Sequence, residues 1–482
     1  MFFRMLYDDK LAQASYLLGC QRTGEALVID PQRDVERYLI LAAEQRMQIT
    51  AITETHIHAD FLSGARELAE RTGACLYLSD EGTADWKYLW LNQKQGGGVY
   101  KHRLLKNQDT FNIGHIQIKA VYTPGHTPEH LSFLVTDLGA GATEPMGIAS
   151  GDFVFVGDVG RPDLLETAAG YVGDKEKSAK TLYESLQLFK ELPDYLQLWP
   201  GHGSGSACGK ALGAVPQSTV GYEKRFNAAV ADASNEARFV ESILYGQPEP
   251  PLYFARMKKE NKEGPALLGE LPTPTRLTPE EFQAILSESI ALIDTRSWPE
   301  FVRGHAPGAL FAPLTSAFPT VVGSYVLPGA PIYLIVDETR VTEAVTDLIR
   351  IGLDQVTGYL TPETLLKYAK HGGEMEPVKS VSITELPKLR TDGALILDVR
   401  RADEYDAGHL PHAKNIAHTR LLDRLDEIPK DREILVHCRT SGRSAYASAL
   451  LAKHGFNITH LSGGFIHWHE SGGDVVEKLC QG

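Results

Sequence analysis

Four short stretches in the first half of the chain gather metal-type ligands: His56-Ile57-His58-Ala59-Asp60, Pro124-Gly125-His126, Gly151-Asp152 and Pro200-Gly201-His202-Gly203. Each follows a strand-like run, which puts its ligands on a loop at a strand end. A lone histidine is most often a packing or surface residue. Four clusters, three of them bordered by glycine or proline, point to a bound ion instead. Imidazole with carboxylate suits a borderline divalent metal. Two histidines and one carboxylate form the facial arrangement of non-heme iron(II), which leaves positions open for O2 and a sulfur substrate.

A second chemistry-bearing stretch lies near the far end, in Ile434-Leu435-Val436-His437-Cys438-Arg439-Thr440-Ser441-Gly442-Arg443-Ser444-Ala445. A buried strand ends at Cys438, a short loop follows, and a helix runs through Tyr446 to His454. Such a loop can aim backbone N–H groups at the sulfur like a nest at a helix N-terminus. Arg439 and Arg443 add positive charge, which lowers a thiol pKa and favours a persulfide or an incoming anion.

The surrounding elements must position these groups. Ala26-Leu27-Val28-Ile29-Asp30-Pro31 reads as a strand ending in a turn, and Asp34 to Arg46 as a helix. Ile49 to Thr53 is a second strand, running into the first ligand cluster, with further strands near Ile116 to Val121 and Leu131 to Val135. This order predicts a layered α/β domain over residues 1–250. Residues 251–275, rich in proline and charge, are predicted to be a partly extended linker. From about Leu277 the sequence repeats once. Ile293-Asp294-Thr295-Arg296, Glu300-Phe301 and Gly304-His305 match Leu397-Asp398-Val399-Arg400, Glu404-Tyr405 and Gly408-His409. Two copies of one α/β domain are expected, over 276–374 and 375–482. In the first, Tyr333-Leu334-Ile335-Val336 runs into Asp337-Glu338, so Asp337 is expected where the second copy has its cysteine. That copy would carry no sulfur.

The chain has 482 residues, 43% hydrophobic and 23% charged, the composition of an ordinary globular protein of about three domains. Its formal net charge of −14 argues against nucleic acid or an anionic membrane surface as a partner. No apolar run is long enough to span a membrane, and Asp8, Asp9 and Lys10 interrupt any signal-peptide pattern. Five widely spaced cysteines fit a reducing cytoplasm better than a disulfide framework.

The H-x-H-x-D motif with its later His and Asp resembles the metallo-β-lactamase superfamily. Binuclear members continue the motif with a further histidine, where this chain has Phe61. Within the superfamily, Ala14-Ser15-Tyr16-Leu17 and Gly151-Asp152, followed by Gly160-Arg161-Pro162-Asp163, resemble the persulfide dioxygenases. The Cys438-x4-Arg443 loop, with Asp398, Arg400 and Gly408-His409, resembles the rhodaneses, whose loop is one residue shorter than the C-x5-R loop of related phosphatases. Together these resemble the bacterial persulfide dioxygenase–rhodanese fusions. That resemblance implies an N-terminal αββα sandwich followed by two rhodanese-like domains, the first inactive. It implies one Fe(II) per chain, held by His56, His126 and Asp152, with His58, Asp60 and His202 lining the site without holding the ion. Arg161 would face the thiol substrate, Cys208 could relay sulfur, and Cys438, Arg439 and Arg443 would transfer it. The expected reactants are low-molecular-weight thiol persulfides and O2, giving sulfite, with thiosulfate formed or used at Cys438. A homo-oligomer is expected. The alternatives are a glyoxalase II-like thioester hydrolase with an accessory sulfurtransferase, and a non-enzymatic sulfur carrier or sensor.

Overall fold

The computed structural model describes residues 1–164, 175–210, 212–286, 289–389 and 393–477; Cys480 lies outside them. The chain divides into two compact units, Met1–Glu270 with Ile349–Gly352, and Leu271–Leu348 with Leu353–Gly482. Among the described residues no helix is long and apolar enough to cross a membrane.

The first unit is built on two six-stranded sheets. One begins with Phe2–Asp8 and Gln13–Cys20 and contains Gln48–Thr53; the other runs from Ser218–Thr219 through Gln197–Pro200, Gly147–Gly151, Leu131–Asp137 and Ile116–Tyr122 to Thr110–Ile113. Alternating residues turn one face of each sheet inward. Tyr16, Leu18, Leu27 and Ile29 of the first meet Ile118, Phe133, Val135 and Trp199 of the second in one buried cluster. The outer faces are covered by helices. Tyr38, Ala42 and Leu68 pack over the first sheet, and Leu182, Leu186 and Phe189 over the second. The result is an αββα sandwich.

The layering gathers the ligand clusters at one edge. Gly147–Gly151 and Gln197–Pro200 pair in parallel, and Ile116–Tyr122 is antiparallel to the strand between, so all three point the same way. Each is followed at once by its ligand loop. Two glycines permit the crowding that results. Gly125 has φ +141°, and a Cβ at Gly201 would stand 2.6 Å from Asp152 Oδ1.

Part of the predicted linker is a helix, Phe254–Glu263, within the first unit. Its Phe254, Met257 and Asn261 are buried, at the spacing of one helical face. The Asn261 amide donates to the carbonyls of His58 (2.8 Å) and Phe61 (2.7 Å), and its side-chain oxygen accepts from the Ser63 N–H (2.9 Å). Proline density marks extended chain on average, but three backbone partners of the ligand loop order this stretch.

The second unit holds the repeat. Its two five-stranded sheets have the same strand order: Thr275–Arg276, Val356–Leu360, Ile332–Ile335, Ala291–Asp294, Leu310–Phe311 in one; Ser380–Ser382, Ile458–Ser462, Ile434–His437, Leu395–Asp398, Lys414–Asn415 in the other. Each copy closes a buried Asp–Arg clamp. Arg296 grips Asp294 and donates to the Gly304 carbonyl (3.0 Å); Arg400 grips Asp398 and donates to that of Gly408 (2.8 Å). The ladder also corrects the expected alignment. Asp294 pairs with Ile335 as Asp398 pairs with His437, so Val336, not Asp337, stands at the position of Cys438. The offset between the copies is 104 residues at the clamp (Asp294 to Asp398) and 102 at this strand (Ile335 to His437), which shifted the match read from sequence. Valine, like aspartate, carries no sulfur.

Candidate metal centre and cysteine loop

His56, His126 and Asp152, all buried, each bring one ligand atom to within 4.8 Å of the others. Asp152 Oδ2 lies 3.5 Å from His126 Nε2 and 3.9 Å from His56 Nε2. The far side of each ring is anchored. His126 Nδ1–H donates to the Arg161 carbonyl (3.0 Å). His56 Nδ1 meets the Thr55 hydroxyl (2.9 Å), which donates its own hydrogen to Asp30 (2.9 Å). Both rings therefore turn a bare Nε2 lone pair toward Asp152, the tautomer that binds metal. Neither oxygen of Asp152 has a hydrogen-bond partner among the described residues. An unpaired buried carboxylate costs several kcal/mol unless a cation joins it, by an estimate of roughly this size for buried ions. The donor set fits a divalent ion.

The neighbouring residues divide. His58 Nε2 sits 3.2 Å from Asp30 Oδ1, near enough to attract though not aligned as a hydrogen bond. Burial pulls the His58 pKa down, but Asp30, Glu54 and Asp60 outweigh it and push it up to about 9. His202 differs. Its Nδ1–H donates to the Ala12 carbonyl (3.1 Å), and its bare Nε2 lies 3.3 Å from Asp60 Oδ2 and 3.5 Å from Asp152 Oδ1. Asp60, His202 and Cys208 make a second buried group with ligand atoms within 4.8 Å. The Cys208 thiol is 2% exposed, and burial, then Asp60 and Asp152, raise its pKa well above the usual thiol value. Phe61 is fully buried, its ring 4.4 Å from that of His58, and adds no donor to either group.

Arg161 is held on every side by protein partners. Its side chain is 1% exposed and grips Asp163 through Nε (3.0 Å) and Nη2 (2.6 Å). It also donates to the carbonyls of Ala207 (3.1 Å) and Pro248 (2.7 Å). A guanidinium with these partners holds loops together. Sequence reasoning missed two residues behind the ligands. His130 accepts from the Asp152 N–H (3.2 Å), and burial drops its pKa to about 3. Glu129 accepts from the Ile57 N–H (2.7 Å), and burial lifts its pKa to about 7. The only signal for either was a titratable residue directly before the strand Leu131–Asp137.

Residues 8–202 match the metallo-beta-lactamase superfamily and residues 382–471 the rhodanese-like domain. A crystal structure of a metallo-beta-lactamase from Staphylococcus aureus COL is 42% identical, with a TM-score of 0.67, covering 75% of this chain and 99% of that one. A hydroxyacylglutathione hydrolase of Polaromonas is 31% identical over 51% of this chain and 92% of its own. The chain belongs to the metallo-beta-lactamase superfamily. A beta-lactamase hydrolase-like protein of Xylella fastidiosa is 28% identical over 56% of this chain, which spans 61% of that relative's length.

Beyond its metallo-beta-lactamase domain, the chain ends in the rhodanese-like domain, where Cys438 is buried at the end of Ile434–His437. The Ser441 N–H (3.2 Å) and the Ser444 hydroxyl (3.4 Å) donate to its sulfur. Ser441 holds φ +129°, a strained angle for a non-glycine residue, to turn the loop around the thiol. Gly464 (φ +61°) lets the next helix close in; a Cβ there would stand 2.5 Å from the Cys438 carbonyl oxygen. Arg439 is exposed, whereas Arg443 is ion-paired with Glu404, its Nη2 at 2.8 Å from Oε1.

Proposed function

We propose that the first unit is a mononuclear iron persulfide dioxygenase and that Cys438 transfers sulfane sulfur. The observation that carries this is the single facial group His56, His126 and Asp152, with Phe61 where binuclear members have an imidazole. Those three side chains would hold Fe(II), which when bound supplies the open-shell centre that allows O2 to react with a closed-shell persulfide. The chain's own residues prepare the site. The Arg161 carbonyl and Thr55 fix the two imidazoles, and His130 fixes Asp152 through its N–H. The apolar rings of Phe61 and Phe155, both fully buried, exclude water. The overall reaction is RSSH + O2 + H2O → RSH + H2SO3, with the outer sulfur oxidised by four electrons and O2 reduced by four.

At the second site the Cys438 thiolate attacks the outer sulfur of a persulfide or thiosulfate. The S–S bond breaks, and its electron pair leaves with the thiol or sulfite. A sulfite lone pair then takes the sulfur from Cys438, forming thiosulfate and returning the thiolate. Cys208, facing Asp60 and Asp152, is the candidate to pass sulfur within the first site.

A second reading is a binuclear thioester hydrolase. It is favoured by the Asp60, His202 and Cys208 group and by the hydroxyacylglutathione hydrolase relative. The test is anaerobic Fe(II) loading, then O2 uptake with glutathione, coenzyme A and bacillithiol persulfides, with sulfite and thiosulfate assayed. One iron per chain with persulfide-dependent O2 uptake supports the dioxygenase. Two zinc ions per chain with thioester hydrolysis and no O2 uptake replaces it with the hydrolase.

A further inference from the structure

A residue of the copy without a cysteine packs on a histidine that is two contacts from the sulfur of the copy that has one. Trp298 opens the helix Trp298–Arg303 just after the Asp294–Arg296 clamp; the matching helix of the second copy, Ala402–Ala407, opens on alanine. The extra ring has a specific partner. It meets the His460 imidazole at 4.9 Å between centroids, tilted by 64°, and is itself backed by Phe301 and Phe311 at 5.7 and 5.0 Å.

His460 lies on Ile458–Ser462, the strand beside the one that ends at Cys438. Its Nδ1 faces the Ser380 hydroxyl at 2.9 Å. Its Nε2 is 3.1 Å from Ser444 Oγ and 3.4 Å from the Ser441 carbonyl oxygen. Burial drops its pKa to about 4, so the ring is neutral with one N–H to give. With Ser380 donating to Nδ1, that N–H sits on Nε2 and is shared by Ser444 Oγ and the Ser441 carbonyl. The Ser444 hydroxyl has a single hydrogen and two acceptors in reach, Cys438 Sγ at 3.4 Å and the Ser441 carbonyl at 2.9 Å. An imidazole N–H on one lone pair of that carbonyl weakens its competition for the hydrogen and favours the sulfur. A ring free to turn would release it to the carbonyl.

We propose that Trp298, from the cysteine-less copy, is a positioning residue for sulfur transfer at Cys438. By holding the His460 ring, it directs the Ser444 hydroxyl onto the sulfur and so stabilises the thiolate and the persulfide. The inactive copy thereby completes the active one. The inference rests on the sulfurtransferase reading of Cys438.

The test uses the full chain and two readouts. The first is the pH dependence of iodoacetamide alkylation, followed on the Cys438 peptide by mass spectrometry. The second is thiosulfate-to-cyanide sulfur transfer. Ser444→Ala and Trp298→Ala are each expected to move the alkylation midpoint to higher pH and to lower kcat/KM about tenfold below that midpoint, the scale of one hydrogen bond to a charged group. Trp298→Phe should recover most of the loss, and Trp298→Ala should add nothing to Ser444→Ala. Should Trp298→Ala fail to fold, Trp298→Leu keeps the apolar volume and is read the same way. An unshifted midpoint in the Trp298 variant, or additive effects of the two substitutions, overturns the proposal. If the unaltered protein transfers no sulfur, the sulfurtransferase reading fails, while the alkylation profile still decides the role of Trp298.

Discussion

Asp152 offers one carboxylate oxygen to His126 and the other to His202, each at 3.5 Å. That shared carboxylate joins two ligand groups that are otherwise separate. Asp152→Asn should therefore lower bound iron to about a tenth or less, whereas Asp60→Asn, which touches only the second group, should leave iron content within about twofold. Metal analysis of the purified variants reads both.

Phe61→His would place an imidazole where the chain now has a buried ring. The expected outcome is a rise from about one metal per chain toward about two under zinc supplementation, with loss of persulfide-dependent O2 uptake. Unchanged stoichiometry would show that the ring is not what keeps a second ion out.

Asn261 ties the helix Phe254–Glu263 to His58, Phe61 and Ser63 through three hydrogen bonds. Asn261→Ala leaves two carbonyls and one N–H unpaired beside the metal loop. A stability loss of about 2–4 kcal/mol in urea unfolding is expected, with weakened metal retention. A chain cut before Phe254 should lose metal as well.

Arg161→Lys breaks the two-pronged grip on Asp163. It should destabilise the first unit by about 1–3 kcal/mol and change the KM for persulfide by less than about threefold. A large KM effect in a fully folded variant would support the substrate-facing role.

Three histidines of the second unit resist protonation. Burial lowers His305 to about 4, His418 to about 3 and His460 to about 4. The unfolded chain takes up these protons near pH 6.5, and the folded state refuses them. Their contribution is thus whole above about pH 6.5 and is lost as pH falls toward about 4, by an amount on the order of 1–3 kcal/mol each. The urea midpoint of the second unit should fall between about pH 7 and about pH 5, and His418→Asn should flatten that slope. A midpoint that holds steady, or rises, over that interval contradicts the burial argument.

The sandwich layers and the repeat were legible because both rest on long patterns: apolar runs of period two, and a second Asp-x-Arg with its Gly-His downstream. The ligand loops were legible because histidines and carboxylates cluster just after such runs. Asp30, Thr55 and His130 were not. Each is one polar residue beside an apolar strand, and only the three-dimensional meeting of strand ends gives it a partner. The helix Phe254–Glu263 was hidden by the prolines around it, although Phe254, Met257 and Asn261 had the spacing of a buried face. The ties of Arg161 to two distant carbonyls were not legible either, because only the folded chain brings Ala207 and Pro248 to it. The Val336 position was misread because the offset between the copies changes from 104 residues at the clamp to 102 at this strand.

The Asp–Arg clamp persists in a copy where valine has taken the sulfur position. The clamp is thus architecture, not chemistry, and stands with or without a nucleophile beside it. Counting rhodanese-like domains by that signature would include copies that have no nucleophile. The number of nucleophiles, not of folds, sets how much sulfur a chain of this kind can carry at once.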